Sequence, residues 1–249
     1  MSDNWDFYFT TINNKPASIF VDLDIGREAP LKEFPHTLHI FLKMLAPRPD
    51  GFPGPEDYEA LAKVEDALND APGGDRAAIY VGRVSTDGHF FLFFFTAAPQ
   101  EMIVRVNKVM ARFPDFKFVT GTKEEPEWDA YFKFLAPSDR DRRCIANRRV
   151  CLQLKKQGDP LTEARVIDHF AHFPTESARA AFVKKITELG FAVGHLHVHE
   201  ATPRPFSVEF TRRDVPDLDR MDEITLSLHD LADAREGFYD GWGTVVETR

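Results

Sequence analysis

Three histidines occupy alternate positions in one short stretch: His195, His197 and His199 of HLHVHE. Side chains alternate between faces along a strand, so all three would project from one side. Imidazoles two residues apart on a strand can hold zinc, and His169 or His172 from a neighbouring strand could complete the set. Such a centre would make the chain a metal-dependent hydrolase. The opposing reading puts these histidines on a sheet face that helices leave open, with Leu196 and Val198 filling the core. Glu200 points to the other face and is no obvious base for a metal-bound water. HExxH and paired cysteines are both missing, so neither metal nor cofactor is the expectation.

Other chemistry finds less support. No Gly-x-Ser-x-Gly elbow places a nucleophile. Cys144 and Cys151, seven apart in a helix-like stretch, form neither a disulfide framework nor a CxxC motif and read as packing residues. APGGDRA, with Gly73 and Gly74, lacks the phosphate-loop pattern and reads as a loop. Carboxylates crowd residues 214–240, where a solvated acidic helix explains them more cheaply than acid–base catalysis. The chain is not expected to be an enzyme.

The bulk composition sets the frame. A chain of 249 residues favours two domains over one, and 23 Phe imply heavy aromatic cores. No stretch approaches the roughly 20 apolar residues that span a bilayer. MSDNWDFYF has no basic segment leading into an apolar one, and only two cysteines are present, so a cytoplasmic protein without membrane contact is expected. The net charge of −9 argues against general nucleic-acid binding. Charge is nevertheless uneven: residues 139–157 carry seven basic and two acidic side chains, whereas 214–240 carry nine acids and two arginines. An acidic face invites a basic partner, although a charge run is more often simply solvated.

Hydrophobic period supplies the elements that must position these residues. WDFYFTTI and PASIFVDLDI read as strands around Asn13, Asn14 and Pro16, and TLHIFLKM as a third. A Pro- and Gly-rich loop over 47–55 precedes the helix EDYEALAKVEDAL, whose apolar stripe is Tyr58, Leu61, Val64, Ala67 and Leu68. AAIYVGRVS and HFFLFFFT flank the turn Thr86-Asp87-Gly88, and the unalternating Phe run 90–95 suits a central strand buried on both faces. A helix QEMIVRVNKVMARF follows, then strands FKFVTGT and WDAYFKFL. The basic stretch reads as a linker helix. Beyond it come the strand ARVIDHFAHF, a helix capped by Thr175 and ended by Gly190, the strands FAVGHLHVHE and FSVEFTRRD, a helix from Pro216, and a last strand WGTVVE. Within GFYDGWGTVV, Gly237 ends that helix, Asp240-Gly241 turns the chain, and Trp242 starts the strand.

Residues 35–121 and the second half share the order β-α-β-β-α-β. The fold expected is therefore α+β: two tandem ferredoxin-like α/β sandwiches, the first with additional strands. Domain bounds are 1–137, a basic linker helix at 138–157, and 158–249.

Two stretches carry resemblances. DPLTEARVIDHFAHFP, GF at 190–191 and LADAREGFYDGWGTVV resemble the bacterial family called regulator of ribonuclease E activity B. Arg165, His169, Phe170, Phe173, Gly190, Phe191, Tyr239, Asp240, Gly241 and Trp242 stand at its motif positions, with Phe170 where that family usually has tryptophan. The likeness covers about residues 145–247 and implies a ferredoxin-like, non-catalytic regulator that binds ribonuclease E through its scaffold region and alters RNA turnover. The first half, with WDFYFTTINNKPASIFVDLDI and YVGRVSTDGHFFLFFF, resembles the uncharacterised domain-of-unknown-function family 695, which implies no activity.

The expected partner surface is the acidic helix face of Asp219, Asp222, Glu223, Asp230 and Asp233, meeting an Arg-rich disordered segment, with Tyr239 and Trp242 as further contacts. The alternatives are the hydrolase on His195, His197 and His199 and a small-ligand sensor with a site between the domains, in which 139–157 would bind an anion.

Overall fold

The computed structural model describes residues 4–70, 78–200 and 202–248, and the APGGDRA loop lies outside them. The chain divides into two compact units, Met1–Ser138 and Asp139–Arg249, each combining an antiparallel sheet with helices.

The first unit contains strands β1 (Trp5–Ile12), β2 (Lys15–Asp22), β3 (His36–Lys43), β4 (Ala78–Thr86), β5 (His89–Thr96) and β6 (Phe118–Glu124), with helices α1 (Pro55–Asn69) and α2 (Pro99–Met110). The sheet runs β1-β2-β4-β5-β3-β6 and is antiparallel throughout. Two-residue turns close its hairpins at Asn13-Asn14 and Asp87-Gly88, all four at positive φ, the conformation these residue types tolerate best. The Phe run lies on a central strand, as its lack of alternation implied. Phe90, Leu92 and Phe94 join Leu61, Val64 and Met102 in the core beneath the helices, while Phe93 and Phe95 point to the reverse face. Tyr58 departs from the expected helix stripe. It is 65% exposed, and Asp57 is buried in its place, accepting the Leu45 and Ala46 amides at 2.8 Å each.

The reverse face is closed by the segment read from its F-K-F alternation as the strand WDAYFKFL. It forms instead a wide, π-helical turn over Ala130–Leu135. Trp128 enters at φ 56°, and Trp128, Tyr131 and Leu135 are buried at helical rather than strand spacing. The Trp128 indole stacks on Phe95 at 3.9 Å and donates to the Phe34 carbonyl at 3.0 Å. Tyr131 donates its hydroxyl to the Asp22 carbonyl at 2.7 Å. These three-dimensional demands overrode a local alternation of Phe and Lys.

The second unit contains α3 (Asp139–Lys156), β7 (Arg165–Phe173), α4 (Glu176–Glu188), β8 (Ala192–Val198), β9 (Phe206–Asp214), α5 (Leu218–Asp233) and β10 (Phe238–Gly243), in a sheet ordered β10-β7-β9-β8. Along β7, Arg165, Ile167, His169, Ala171 and Phe173 are buried on one face. α4 and α5 supply Phe182, Ile186, Met221 and Leu228 to that core. Thr175 accepts the Ala178 amide and Asp217 the Arg220 amide, so both helices begin on side-chain caps. The basic stretch forms α3, lies within this unit and packs along α5.

Two expectations change here. The final strand is not WGTVVE but Phe238–Gly243, earlier by four residues. Asp240-Gly241 is no turn: the register slips between Tyr239 and Gly241, leaving Asp240 as the extra residue of a bulge with Gly241 at φ 122°. Leu196 and Val198 do not fill the core. They share the helix side with Val208 and Phe206 by register, yet β8 is the sheet's outer strand and they stay 51% and 63% exposed.

Removing the Trp128 ring would open a large cavity behind β5 and orphan the Phe34 carbonyl. Trp128→Ala should destabilise the protein by about 3–5 kcal/mol, read as a lower urea midpoint for the transition of the first unit. A loss below about 1 kcal/mol would show that this segment does not close the reverse face.

Candidate functional site

The residues singled out in the second half fall into three groups: a buried aromatic–histidine core, a polar knot at α3, and exposed remainders.

The core group centres on His169. Its Nδ1 lies 2.8 Å from the Tyr239 hydroxyl, and its ring stacks on Phe210 at 5.3 Å and meets Phe191 edge-on at 5.4 Å. Phe173 packs against Phe182 at 4.9 Å. Gly237 lies so close to Phe173 that an added Cβ would come within 2.4 Å of its ring. Gly190, at φ 82°, ends α4 in the left-handed conformation that glycine adopts without strain. Phe170 faces away from the helices, opposite Gly241, and is 37% exposed. Arg165 forms a bidentate pair with Asp159, at 2.6 and 2.8 Å, both residues being buried. The Asp159 carboxylate also accepts the Leu161 and Glu247 amides, so it fastens the residues after β10 to the start of β7. Hydrogen bonds from Arg165 chiefly, with those amides, hold the Asp159 carboxyl well below the usual range.

The polar knot was not anticipated. Asn147 of α3 is buried, and its amide nitrogen donates to Asp222 and Thr225 of α5 at 2.7 Å each. Its amide oxygen accepts the Trp242 indole N–H at 2.8 Å. One side chain therefore joins α3, α5 and β10. Arg140 grips Asp230 with 2.6 and 2.8 Å contacts, and Arg143 lies 4.9 Å over the Tyr239 ring. The Cys144 and Cys151 thiols sit in the same helix, pushed up to about 11, first by burial and then by Asp222. Neither is a thiolate near neutral pH, which removes the condition for nucleophilic attack.

These contacts redraw the acidic face. Asp222 and Asp230 are engaged by Asn147 and Arg140 within the unit, and Glu223 pairs with Arg220 at 2.8 Å. Asp219, Glu223 and Asp233 stay exposed on α5. Tyr239 is 1% exposed and Trp242 is partly buried against α3, so either would influence a partner through the unit's shape rather than by direct contact. The signal that could have revealed the knot was the opposite charge of 139–157 and 214–240.

The histidine strand divides by face. His195, His197 and His199 form a ladder with ring centroids 5.8 and 6.0 Å apart, and His172 stands 6.4 Å from His199. His169 lies on the opposite, helix-covered face and cannot join them. Their partners are ordinary: Ser207 for His199, Glu209 for His197 and Asp240 for His172. Among the described residues, no three His, Cys, Asp or Glu are grouped so as to hold a metal ion. Nor is any helix among them long and apolar enough to cross a membrane.

Comparison with known proteins agrees with the division into two units. Residues 3–136 match a family of unknown function, DUF695, and residues 144–244 match the family Regulator of ribonuclease activity B, as the two resemblances implied. No curated protein matches the chain. Among solved structures, a candidate glycine cleavage system transcriptional repressor is 10% identical, with 85% of this chain and 98% of that one covered at a TM-score of 0.25. An unknown protein from Galdieria sulphuraria is also 10% identical, with 84% and 98% covered at 0.22. Likeness at that level carries no argument about this chain.

Burial, followed by Arg212, depresses the pKa of His169 to about 4, against about 6.5 in an unfolded chain. Between those values the unfolded state binds a proton that the folded state excludes, so stability falls as pH drops through that window and is fully present above it. The contribution is on the order of 3 kcal/mol. Urea titrations across pH 4–7 should show this slope, and the double variant His169→Phe/Tyr239→Phe should flatten it. An unchanged slope would assign the pH dependence to other groups.

Proposed function

The chain belongs, through residues 3–136, to the family of unknown function DUF695, and from that premise we propose a regulator built of that domain and a ribonuclease-regulating one. The second unit binds a ribonuclease of the ribonuclease E type, or its Arg-rich scaffold region, and modulates RNA turnover without catalysis. The observation that carries this reading is the match of residues 144–244 to Regulator of ribonuclease activity B, which spans nearly all of the second unit. The sheet order β10-β7-β9-β8, entered as β-α-β-β-α-β, supports a ferredoxin-like assignment for that unit. The order β4-β5-β3-β6 supports the same assignment for the first unit, with β1 and β2 as its additional strands.

The surface proposed to meet the basic segment is α5, through Asp219, Glu223 and Asp233. Asp222 and the exposed Asp230 border that surface while holding α3 through Asn147 and Arg140. Cationic scaffold segments are typically disordered, and an exposed acidic helix would steer and orient them against the conformational entropy they lose on binding. A scarcity of cysteine supports a cytoplasmic setting.

Reversing Asp219, Glu223 and Asp233 together to Lys should weaken binding of an Arg-rich ribonuclease segment by about tenfold or more, while leaving the melting temperature near that of the parent. Raising ionic strength from about 0.1 M to about 1 M, which shortens the Debye length from about 10 to about 3 Å, should produce a similar loss. Affinity measured by fluorescence anisotropy that responds to neither change would sink the acidic-face mechanism.

A further inference from the structure

Two helices lying side by side cover about 20 Å of sheet, the width of roughly four strands. The first unit has six strands and two such helices. The hairpin β1–β2 therefore projects past α1, and among the described residues its upper face is not packed under a helix. Residues paired across the sheet share a face, which places Phe9, Ser18 and Ser85 in one row and Phe20 beside Arg83 in the next. Between this floor and the flank of α1 lies a cavity of about 670 Å³, within the size range of sites for small ligands.

Its walls are aromatic in a way that packing does not require. Phe9 and Tyr58 line it while remaining 63% and 65% exposed. Phe52, from the loop before α1, meets Phe9 edge-on at 5.9 Å. That loop is fixed in place. Arg48 donates its amide to the Phe52 carbonyl, and the Gly51 carbonyl accepts the Gly88 amide at 2.9 Å. Gly51 has φ 84°, and a Cβ there would fall 2.8 Å from the Asp87 backbone. The aromatic wall is therefore built before any ligand arrives, which lowers the ordering cost of binding.

The floor holds a charge pair of uncommon placement. Arg83 is sandwiched by rings, 4.4 Å from Phe20 and 5.7 Å from Phe90, and its Nη1 donates to both oxygens of Glu65 at 3.1 Å. Tyr80 donates to Glu65 Oε1 at 2.6 Å. Arg83 Nε and Nη2 make no further hydrogen bond to a described residue, and Glu65 Oε2 accepts only from Nη1. Burial raises the Glu65 pKa in spite of Arg83, the mark of a carboxylate short of partners. An unused donor edge thus lies beside an unused acceptor.

Charge excludes the commonest heterocyclic ligands, the nucleotides. Both guanidiniums of the cavity are matched, Arg83 by Glu65 and Arg48 by Asp50, and Asp66 adds a further negative group. Among the described residues lining the cavity, no cation is left over for a phosphate. We propose that this cavity binds an uncharged purine nucleoside, its ring stacked among Phe9, Phe52 and Tyr58 and its donor–acceptor edge set against Glu65 and Arg83. A purine base presents a ring nitrogen next to an exocyclic group, which complements a carboxylate adjoining a guanidinium.

Isothermal titration of the full chain with adenosine and guanosine tests this, with ATP and choline as the contrasting probes. The expected result is one-to-one binding of at least one nucleoside, with ATP and choline each weaker by about tenfold or more. Phe52→Ala and Tyr58→Ala should each weaken the nucleoside by about tenfold without shifting the melting temperature. Two variants are used so that instability in one leaves the other informative. The proposal is overturned if neither nucleoside binds up to millimolar concentration, if ATP or choline binds more tightly, or if both variants retain parental affinity.

Discussion

The width of a helix relative to a strand governs how both units are assembled. A pair of helices shields about four strands on one face of a sheet. The second unit has four strands, so α4 and α5 suffice, and its third helix has no sheet left to cover. α3 therefore packs on the flank of α5, which it meets through the Asn147 hydrogen bonds, the Arg140–Asp230 ion pair and an apolar patch around Cys151 and Leu154. The first unit has six strands, and the same arithmetic leaves its extra hairpin without a helical lid. Its reverse face is covered by the π-helical turn at Ala130–Leu135, and its upper face opens as a cavity. One constraint of size thus produces a docked basic helix in one unit and an uncovered aromatic ledge in the other.

That docking changes the meaning of the charge runs. Taken alone, the acidic residues of α5 form a single stripe facing away from the core, and the basic residues of α3 look like a separate cationic segment. Folded, each neutralises part of the other. Exposed ion pairs such as Arg140–Asp230 contribute little individually. The amide of Asn147 is a different case, because the residue is buried and a lost partner would leave one of its polar atoms stranded. Asn147 fixes the register of α3 on α5, and the arginines follow from that register. What remains of the acidic stripe is narrower and more sharply placed than the sequence count implies.

Elements with a strong period were legible in the sequence. The existence of strand β7, the caps at Thr175 and Gly190, the two-residue turns and the central Phe strand all follow from local chemistry, and the structure has them. Readings failed where tertiary contacts set the outcome. WDAYFKFL alternates like a strand, but burial of Trp128, Tyr131 and Leu135 favours a helical turn. Asp240-Gly241 has turn chemistry, yet in β10 the same freedom is spent on a bulge. Leu196 and Val198 are apolar on an outer strand, where more than half of each stays exposed. Asn147 had no sequence signal of its own, since its role depends on three elements up to 95 residues apart.

Two arginine–carboxylate pairs, one buried and one part-buried, show how structure and site can be told apart. Asp159 and Arg165 meet bidentately, and the remaining capacity of Asp159 is taken by the Leu161 and Glu247 amides. A carboxylate so enclosed recovers its lost hydration entirely from the protein, and its pKa falls accordingly. Glu65 and Arg83 meet through a single guanidinium nitrogen, and burial moves the Glu65 pKa the other way. The desolvation is similar in kind, but the compensation is incomplete, and it is incomplete on the side that faces a cavity. A pair whose carboxylate is closed in this way is a fastening. An open one is a group whose last partner comes from solution, and this distinguishes the first unit's ledge from the second unit's clasp although both are built from the same two residue types.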